Sequence, residues 1–164
     1  MISSGCCITC TVEGTRPILA EIQSLVCPTF FPAPRRTASG LDYNKVMLLL
    51  AVLEKRLKLN LGINDIYVNV AGGMRISEPA SDLAVILAVY SGLKDIIIDT
   101  KTIAIGEVGL SGEVRAVSSI ELRINEAKKM GFEKIIIPYG NFIHLKAKSG
   151  VFGVKSIQDA IKLL

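Results

Sequence analysis

The stretch "MRISEPASDLAVILAVYSG", Met74 to Gly92, sets Ser81 in what reads as the first turn of a buried helix. A serine hydroxyl there is placed for nucleophilic chemistry, because unpaired N–H groups and the positive end of the helix dipole can stabilise an oxyanion. Ser, Asp and Pro also collect at helix starts for structural reasons alone, so both readings stand at this point. The cysteines are a second candidate group: Cys6, Cys7, Cys10 and Cys27 all fall within the first 27 residues, and "CITC" has the spacing of a zinc or redox pair. A structural zinc wants four ligands in two spaced pairs, yet the single histidine, His144, is far along the chain. A redox pair belongs at a strand-to-helix turn, and no helical pattern follows "CITC". Reduced cysteines serving as small apolar residues in a strand are therefore expected. A third group is basic: Arg35 and Arg36 on the proline-flanked "PAPRR", then Lys45, Lys55, Arg56 and Lys58 on the segment that follows. Such a set reaches phosphates, or forms a solvated helix face beside an arm that packs on a neighbouring subunit. Only Phe30 and Phe31 lie near the arginines, which favours phosphate contacts over base stacking.

These residues have to be positioned by a chain of 164 residues, enough for one domain with a sizeable core. Half of the residues are hydrophobic, only 5% are aromatic and Trp is absent, so the core must be built from Ile, Leu, Val and Ala. The formal charge of +4 permits a polyanionic partner without demanding one. The longest apolar runs, "VMLLLAVL" and "LAVILAVY", have eight residues each. A membrane span needs about 20, so no membrane partner is expected. The start "MISSGCCITC" lacks the basic and long apolar parts of a secretory signal, which makes the cytoplasm the expected compartment.

The pattern predicts two β segments, Cys6 to Val12 and Ile18 to Cys27, joined at "EGTRP" as a hairpin. "PTFFPAPRRTASG" predicts a loop or extended arm. A helix follows from an Asp42 cap to about Leu59, with Val46, Leu49, Leu50, Leu53 and Leu57 on one face. "DIYVNV" alternates as a strand does, and a second helix is predicted from Pro79 to Ser91, closed by Gly92. "TIAIGEVGLSGEVRAV" reads as a hairpin around Gly109 to Gly112. Ser118 or Ser119 can cap a third helix that runs to Met130 and is closed by Gly131. "KIIIP" and "VFGV" read as strands, "NFIHLKAK" as a short helix, and "SIQDAIKLL" as a final helix capped by Ser156. Hairpins mixed with crossovers give an α+β (mixed α/β) class.

Taken together, "EGTRPILAEIQSLV", "PRRTASGLDYNKVMLLLAVLEKR", "YVNVAGGMRISEPASDLAVILA" and "GEVGLSGEVRAVSSIELRINEAKKMGFEKIIIP" resemble the C-terminal domain of the RadA (Sms) family of bacterial DNA repair proteins. The resemblance implies a Lon protease domain-like fold over residues 6–164, with residues 1–5 as a boundary. In that family the domain follows a zinc finger and a RecA-like ATPase core, so ATP and zinc are expected only there. No G-x-x-x-x-G-K-[ST] occurs in this sequence.

Lon proteases carry their nucleophilic serine in Gly-Pro-Ser-Ala-Gly. The similar stretch here is Glu78-Pro79-Ala80-Ser81-Asp82, which puts Ala80 at the nucleophile position and Ser81 one step on, rotated by about 100°. The Lon lysine lies in Gly-Gly-Leu-Lys, and the similar Ser118-Ser119-Ile120-Glu121 puts Glu121 at that position. By this resemblance the dyad is degenerate and the domain is not a peptidase. A displaced dyad of Ser81 with Lys128 or Lys129 is the alternative. The resemblance further implies DNA and further copies of the chain as partners, in a hexameric ring that acts as scaffold and DNA-binding platform for a branch-migration ATPase. The six basic residues named above are its DNA-contact candidates.

Overall fold

The computed structural model describes residues 2–164; Met1, the first of the boundary residues 1–5, lies outside the described residues. The chain runs β1 (Cys6–Glu13), β2 (Arg16–Pro28), β3 (Arg36–Ser39), α1 (Tyr43–Leu57), β4 (Asn64–Val70), α2 (Asp82–Lys94), β5 (Thr102–Ala104), β6 (Glu107–Val108), β7 (Val114–Arg115), α3 (Ile120–Lys129), β8 (Lys134–Pro138), α4 (Tyr139–Phe142), β9 (Val151–Val154) and α5 (Ile157–Ile161). Seven strands form one sheet in the order β3-β4-β2-β1-β5-β8-β9, and β6 with β7 makes a separate small hairpin. Pairing is antiparallel for β1–β2 and β2–β4 and parallel for β3–β4, β1–β5, β5–β8 and β8–β9. The class is thus mixed α/β, as the pattern of hairpins and crossovers predicts.

Strand β1 is central, and its two neighbours hold it very differently. It pairs with β2 from Cys6↔Gln23 to Glu13↔Arg16. Its parallel pairing with β5 is a single register pair, Ile8↔Ile103. The sheet is therefore two blocks, β3-β4-β2-β1 and β5-β8-β9, joined along a narrow seam.

Each face of the sheet has its own core. Leu49, Leu53, Leu83, Ile86 and Leu87 of α1 and α2 pack with Ile22, Ile66, Val68 and Val70 on one face. Ile124 and Ala127 of α3 pack with Cys10, Ile103, Ile105, Ile135 and Ile137 on the other. Helix α2 runs through the first core, and every residue from Asp82 to Val89 is buried. That accounts for a sequence apolar all round rather than striped. Helix α1 is striped and starts as its sequence predicts, with Asp42 Oδ2 accepting from the Lys45 N–H at 2.9 Å. Ser156 caps α5 in the same way, accepting from the Asp159 N–H at 3.2 Å.

Three local expectations are corrected. The segment from Pro28 to Gly40 is not wholly loop, since Arg36–Ser39 pairs in parallel with β4 as an edge strand. "NFIHLKAK" is not a helix: α4 ends at Phe142, and residues 143–149 turn irregularly towards β9. Gly92 does not end α2, which continues to Lys94 and is closed by Asp95 in the left-handed conformation at φ 55°. Gly92 is there for closeness. A Cβ on it would lie 2.8 Å from Ser24 Oγ and 3.2 Å from Val26 Cγ2, while Ser24 Oγ itself donates to the Ala88 carbonyl at 2.7 Å. The missing side chain lets α2 sit directly on β2. The N-terminus is fastened at the same place, where the Gly5 N–H donates to Ser91 Oγ at 2.8 Å.

Gly92→Ala is accordingly expected to destabilise the fold by about 1–3 kcal/mol, although alanine is the better helix former, because the methyl overpacks the α2–β2 contact. Urea unfolding measures this, and a variant as stable as the native chain would show that the contact yields.

Candidate functional site

After β4 the backbone must turn sharply to enter α2. Gly72 and Gly73 take positive φ values of 74° and 72°, and the Ile76 N–H donates to the Gly40 carbonyl at 2.8 Å. Pro79–Ser81 form a single 3₁₀ turn that leads into α2. Gly106, between β5 and β6, clasps this turn from the side: its N–H donates to the Ala80 carbonyl at 2.8 Å, and its carbonyl accepts from the Leu83 N–H at 3.0 Å.

The two residues at issue in this turn face different clefts. The Ala80 methyl borders a small polar cleft lined by Glu78, Glu107, Ser118 and Arg123. Ser81 borders a larger one between α1 and α2, with Lys45, Ile76 and Asp82. The Ser81 hydroxyl is buried and donates back to the Glu78 carbonyl at 3.2 Å, which is the behaviour of a turn residue. Lys45 Nζ lies 3.0 Å from Asp82 Oδ2, and the same carboxylate oxygen accepts from the Val108 N–H at 3.1 Å. Burial pushes the Asp82 carboxyl up, against the Val108 N–H and the Lys45 ammonium. Lys45, the cation near Ser81, is thus paired with Asp82. Lys128 and Lys129 are exposed late on α3, and Lys128 lines a separate groove with Glu121. The structure brings neither lysine to Ser81. Glu121 is exposed and does not line the cleft beside Ala80.

What enters that cleft is Arg123, only 1% exposed. Its Nε donates to the Ser118 carbonyl at 2.9 Å and its Nη1 to the Cys10 carbonyl at 2.8 Å. Its two terminal nitrogens grip Glu78, Nη1 on Oε1 and Nη2 on Oε2 at 3.0 Å. Glu78 Oε1 also accepts from the Val12 N–H at 3.0 Å. Burial alone would raise the Glu78 carboxyl, but the Arg123 guanidinium and the Val12 N–H outweigh it and hold the group below the usual carboxylate range. Sequence reading passes over Arg123, although a signal is present. Ile120, Arg123, Ile124 and Ala127 recur at i, i+3, i+4 and i+7, so the arginine lies on the apolar face of α3.

The six basic candidates separate. Arg36 donates to the carbonyls of Arg35, Asn64 and Leu61, which fastens β3 to the α1–β4 turn. Lys45 is held by Asp82, and Arg56 Nε donates to the Leu110 carbonyl at 3.2 Å across to the β6–β7 tip. Arg35 is exposed, with its guanidinium 3.9 Å above the Phe31 ring. Lys55 and Lys58 are exposed at the end of α1, and neither makes an ion pair among the described residues. Arg36, by its bond to Leu61, brings the arm beside the turn that follows Lys58.

The cysteines are all free. Cys7 and Cys10, three apart on a strand, point to opposite faces and join different cores. Burial pushes the Cys7 thiol up to about 12 and the Cys10 thiol up to about 11, which suits them to packing rather than thiolate chemistry.

A family model described as subunit ChlI of Mg-chelatase matches residues 49–141. The chain is 49% identical over 162 residues to DNA repair protein RadA of Bacillus subtilis (strain 168), covering 98% of this chain and 35% of that protein. It is 48% identical to DNA repair protein RadA of Streptococcus pneumoniae, with 98% and 39% covered. The match to that of Halalkalibacterium halodurans is 45%, with 98% and 35% covered. The chain spans little more than a third of the length of these relatives.

Removing the cleft's cation leaves a carboxylate and two carbonyls without their donor, so Arg123→Ala is expected to cost about 3 kcal/mol or more in urea unfolding. The Glu78 contribution has a definite sign with pH. Its pKa is lowered by folding, so its stabilisation is complete above the unfolded value and is lost as pH falls through the folded one. The stability gap between the native chain and Glu78→Gln should therefore be full at neutral pH and shrink below about pH 4. A gap that stays constant with pH would show that the Glu78 charge contributes nothing.

Proposed function

Because the chain belongs to the family described as subunit ChlI of Mg-chelatase and matches a segment of RadA DNA repair proteins, we propose that it is the non-catalytic, Lon-protease-like part of a RadA-type repair and recombination ATPase. In that role it serves as an oligomerisation scaffold and a DNA-binding platform during branch migration. ATP hydrolysis and zinc binding belong to other parts of such a protein.

The observation that carries the non-catalytic reading is the content of the cleft beside Ala80. At the position that Lon resemblance assigns to a nucleophile there is a methyl group. The cation in the cleft is a guanidinium, which does not give up its proton and so cannot serve as a general base. Glu78 and Glu107 line the same cleft, and their carboxylates oppose an oxyanion. An arginine–glutamate pair thus occupies the space where a hydrolytic centre would need a neutral base and hydrogen-bond donors.

The DNA reading rests on the exposed cations Lys55 and Lys58 at the end of α1, unpaired among the described residues, together with the name of the relatives. Exposed cations without aromatic platforms bind phosphates and ignore sequence. Arg36 and Lys45 are structural residues instead, since their charges are already engaged within the fold.

A fluorophosphonate probe is expected to leave Ser81 unlabelled, and stoichiometric labelling of Ser81 would establish a serine peptidase instead. Changing Lys55 and Lys58 together to Ala is expected to weaken DNA binding equally for unrelated sequences. It should also flatten the slope of log affinity against log salt by up to about two units, one for each lost phosphate contact. An unchanged slope would place the DNA surface elsewhere.

A further inference from the structure

Phe30 is 93% exposed, the most exposed of the large hydrophobic residues described. It is not on a slack loop. The Thr29 N–H donates to the Ile63 carbonyl at 2.9 Å, the Phe31 N–H to Thr29 Oγ1 at 3.2 Å, and the Arg35 N–H to Asp65 Oδ1. Pro28, Pro32 and Pro34 stiffen the segment, and Arg35 stacks on Phe31. A phenyl ring is thus presented to solvent on a preorganised arm beside a guanidinium, an arrangement that lowers the ordering cost of binding.

A surface of the opposite character lies across the sheet. Ile2, Cys7, Ile8 and Ile98 form the apolar side of an open cavity of about 170 Å³, which Ser3, Thr100 and Thr102 complete with hydroxyls and whose rim carries Glu21 and Asp99. An apolar cavity of about 150 Å³ is enough to hold benzene. The adjoining "DIIID" segment, Asp95 to Asp99, adds Ile97, 54% exposed, and the exposed carboxylate of Asp95. The arm's own ring cannot fill this cavity. Its ends are bonded to β4, whereas the cavity opens beside β1 and β5, with β2 lying between.

We infer that Phe30 of one copy seats in the Ile2–Ile8–Ile98 cavity of a second copy, with Arg35 against the Glu21 and Asp99 carboxylates. The argument for a second copy is that both complementary surfaces, aromatic-basic and apolar-acidic, belong to this one chain and do not overlap. Contacts between two different patches are heterologous and propagate into rings or filaments. The inference deepens the self-assembly proposed above and rests on it. It also moves Arg35 from phosphates to carboxylates, leaving Lys55 and Lys58 for DNA.

The test is sedimentation velocity over a concentration series with the native chain, Phe30→Ala and Glu21→Lys. Neither substitution removes a core side chain, since Phe30 is exposed and Glu21 is half-buried, with its carboxylate accepting from Gln23 Nε2 and facing the Cys6 thiol. The native chain is expected to assemble, and each variant to need about tenfold or more higher concentration. An equimolar mixture of the two variants should form dimers and stop there, because each carries the half that the other has lost. If Phe30→Ala assembles as the native chain does, the contact is wrong while self-assembly stands. If the native chain stays monomeric throughout, both fail. A mixture that remains monomeric overturns the contact as well.

Discussion

A guanidinium cannot shed its charge, so a buried one obliges the fold to bring acceptors to it from every side. Arg123 imposes that constraint here. Its acceptors come from β1, through the Cys10 carbonyl; from the turn before α3, through the Ser118 carbonyl; and from the approach to α2, through Glu78. These three segments are far apart in sequence. Holding them to one planar fork fixes the height of α3 over the second core and the path by which the chain enters α2. The bidentate geometry matters as much as the charge, since a lysine ammonium has three donors but no planar fork to match both carboxylate oxygens.

The entry to α2 is held by a second ion pair, Lys45 with Asp82, on the other side of the same turn. The two pairs respond to acid in opposite directions. Folding favours the charged form of Glu78 and the protonated form of Asp82. Between them the Ser81 hydroxyl has only a backbone carbonyl to serve, and Ala80 has no functional group at all. The polar side chains that flank the turn are thus engaged in ion pairs within the fold.

Much of the fold is legible in the residues. The β1–β2 hairpin follows from Gly14 between two β-rich runs, α1 from its Asp42 cap and leucine stripe, α5 from Ser156, and the β6–β7 hairpin from Gly109 and Gly112. Less legible are features decided by distant neighbours. Strand β3 has no alternation of its own to announce it, because its pairing with β4 is parallel and reached through a helix. Gly92 resembles a helix stop, and only the approach of β2 explains it. Of the site, the placement of Ser81 and Ala80 on different clefts follows from one step of helical rotation. The arginines were the harder part. Arg36 looks like a free phosphate ligand until Leu61 and Asn64 are placed beside it, and Arg123 looks like a surface charge until its helical phase is counted.

The narrow seam between β1 and β5 also sets an order of events during synthesis. Ile8 emerges 95 residues before its partner Ile103. At translation rates of about 5–20 residues per second, the β5-facing edge of β1 waits roughly 5–20 s for its neighbour. Early in that interval only the β1–β2 hairpin can pair, and until β5 arrives one edge of β1 offers open N–H and carbonyl groups to any passing chain. The nascent protein's period of greatest exposure is therefore built into its topology, and anything that shortens the interval protects the edge that the finished molecule hides.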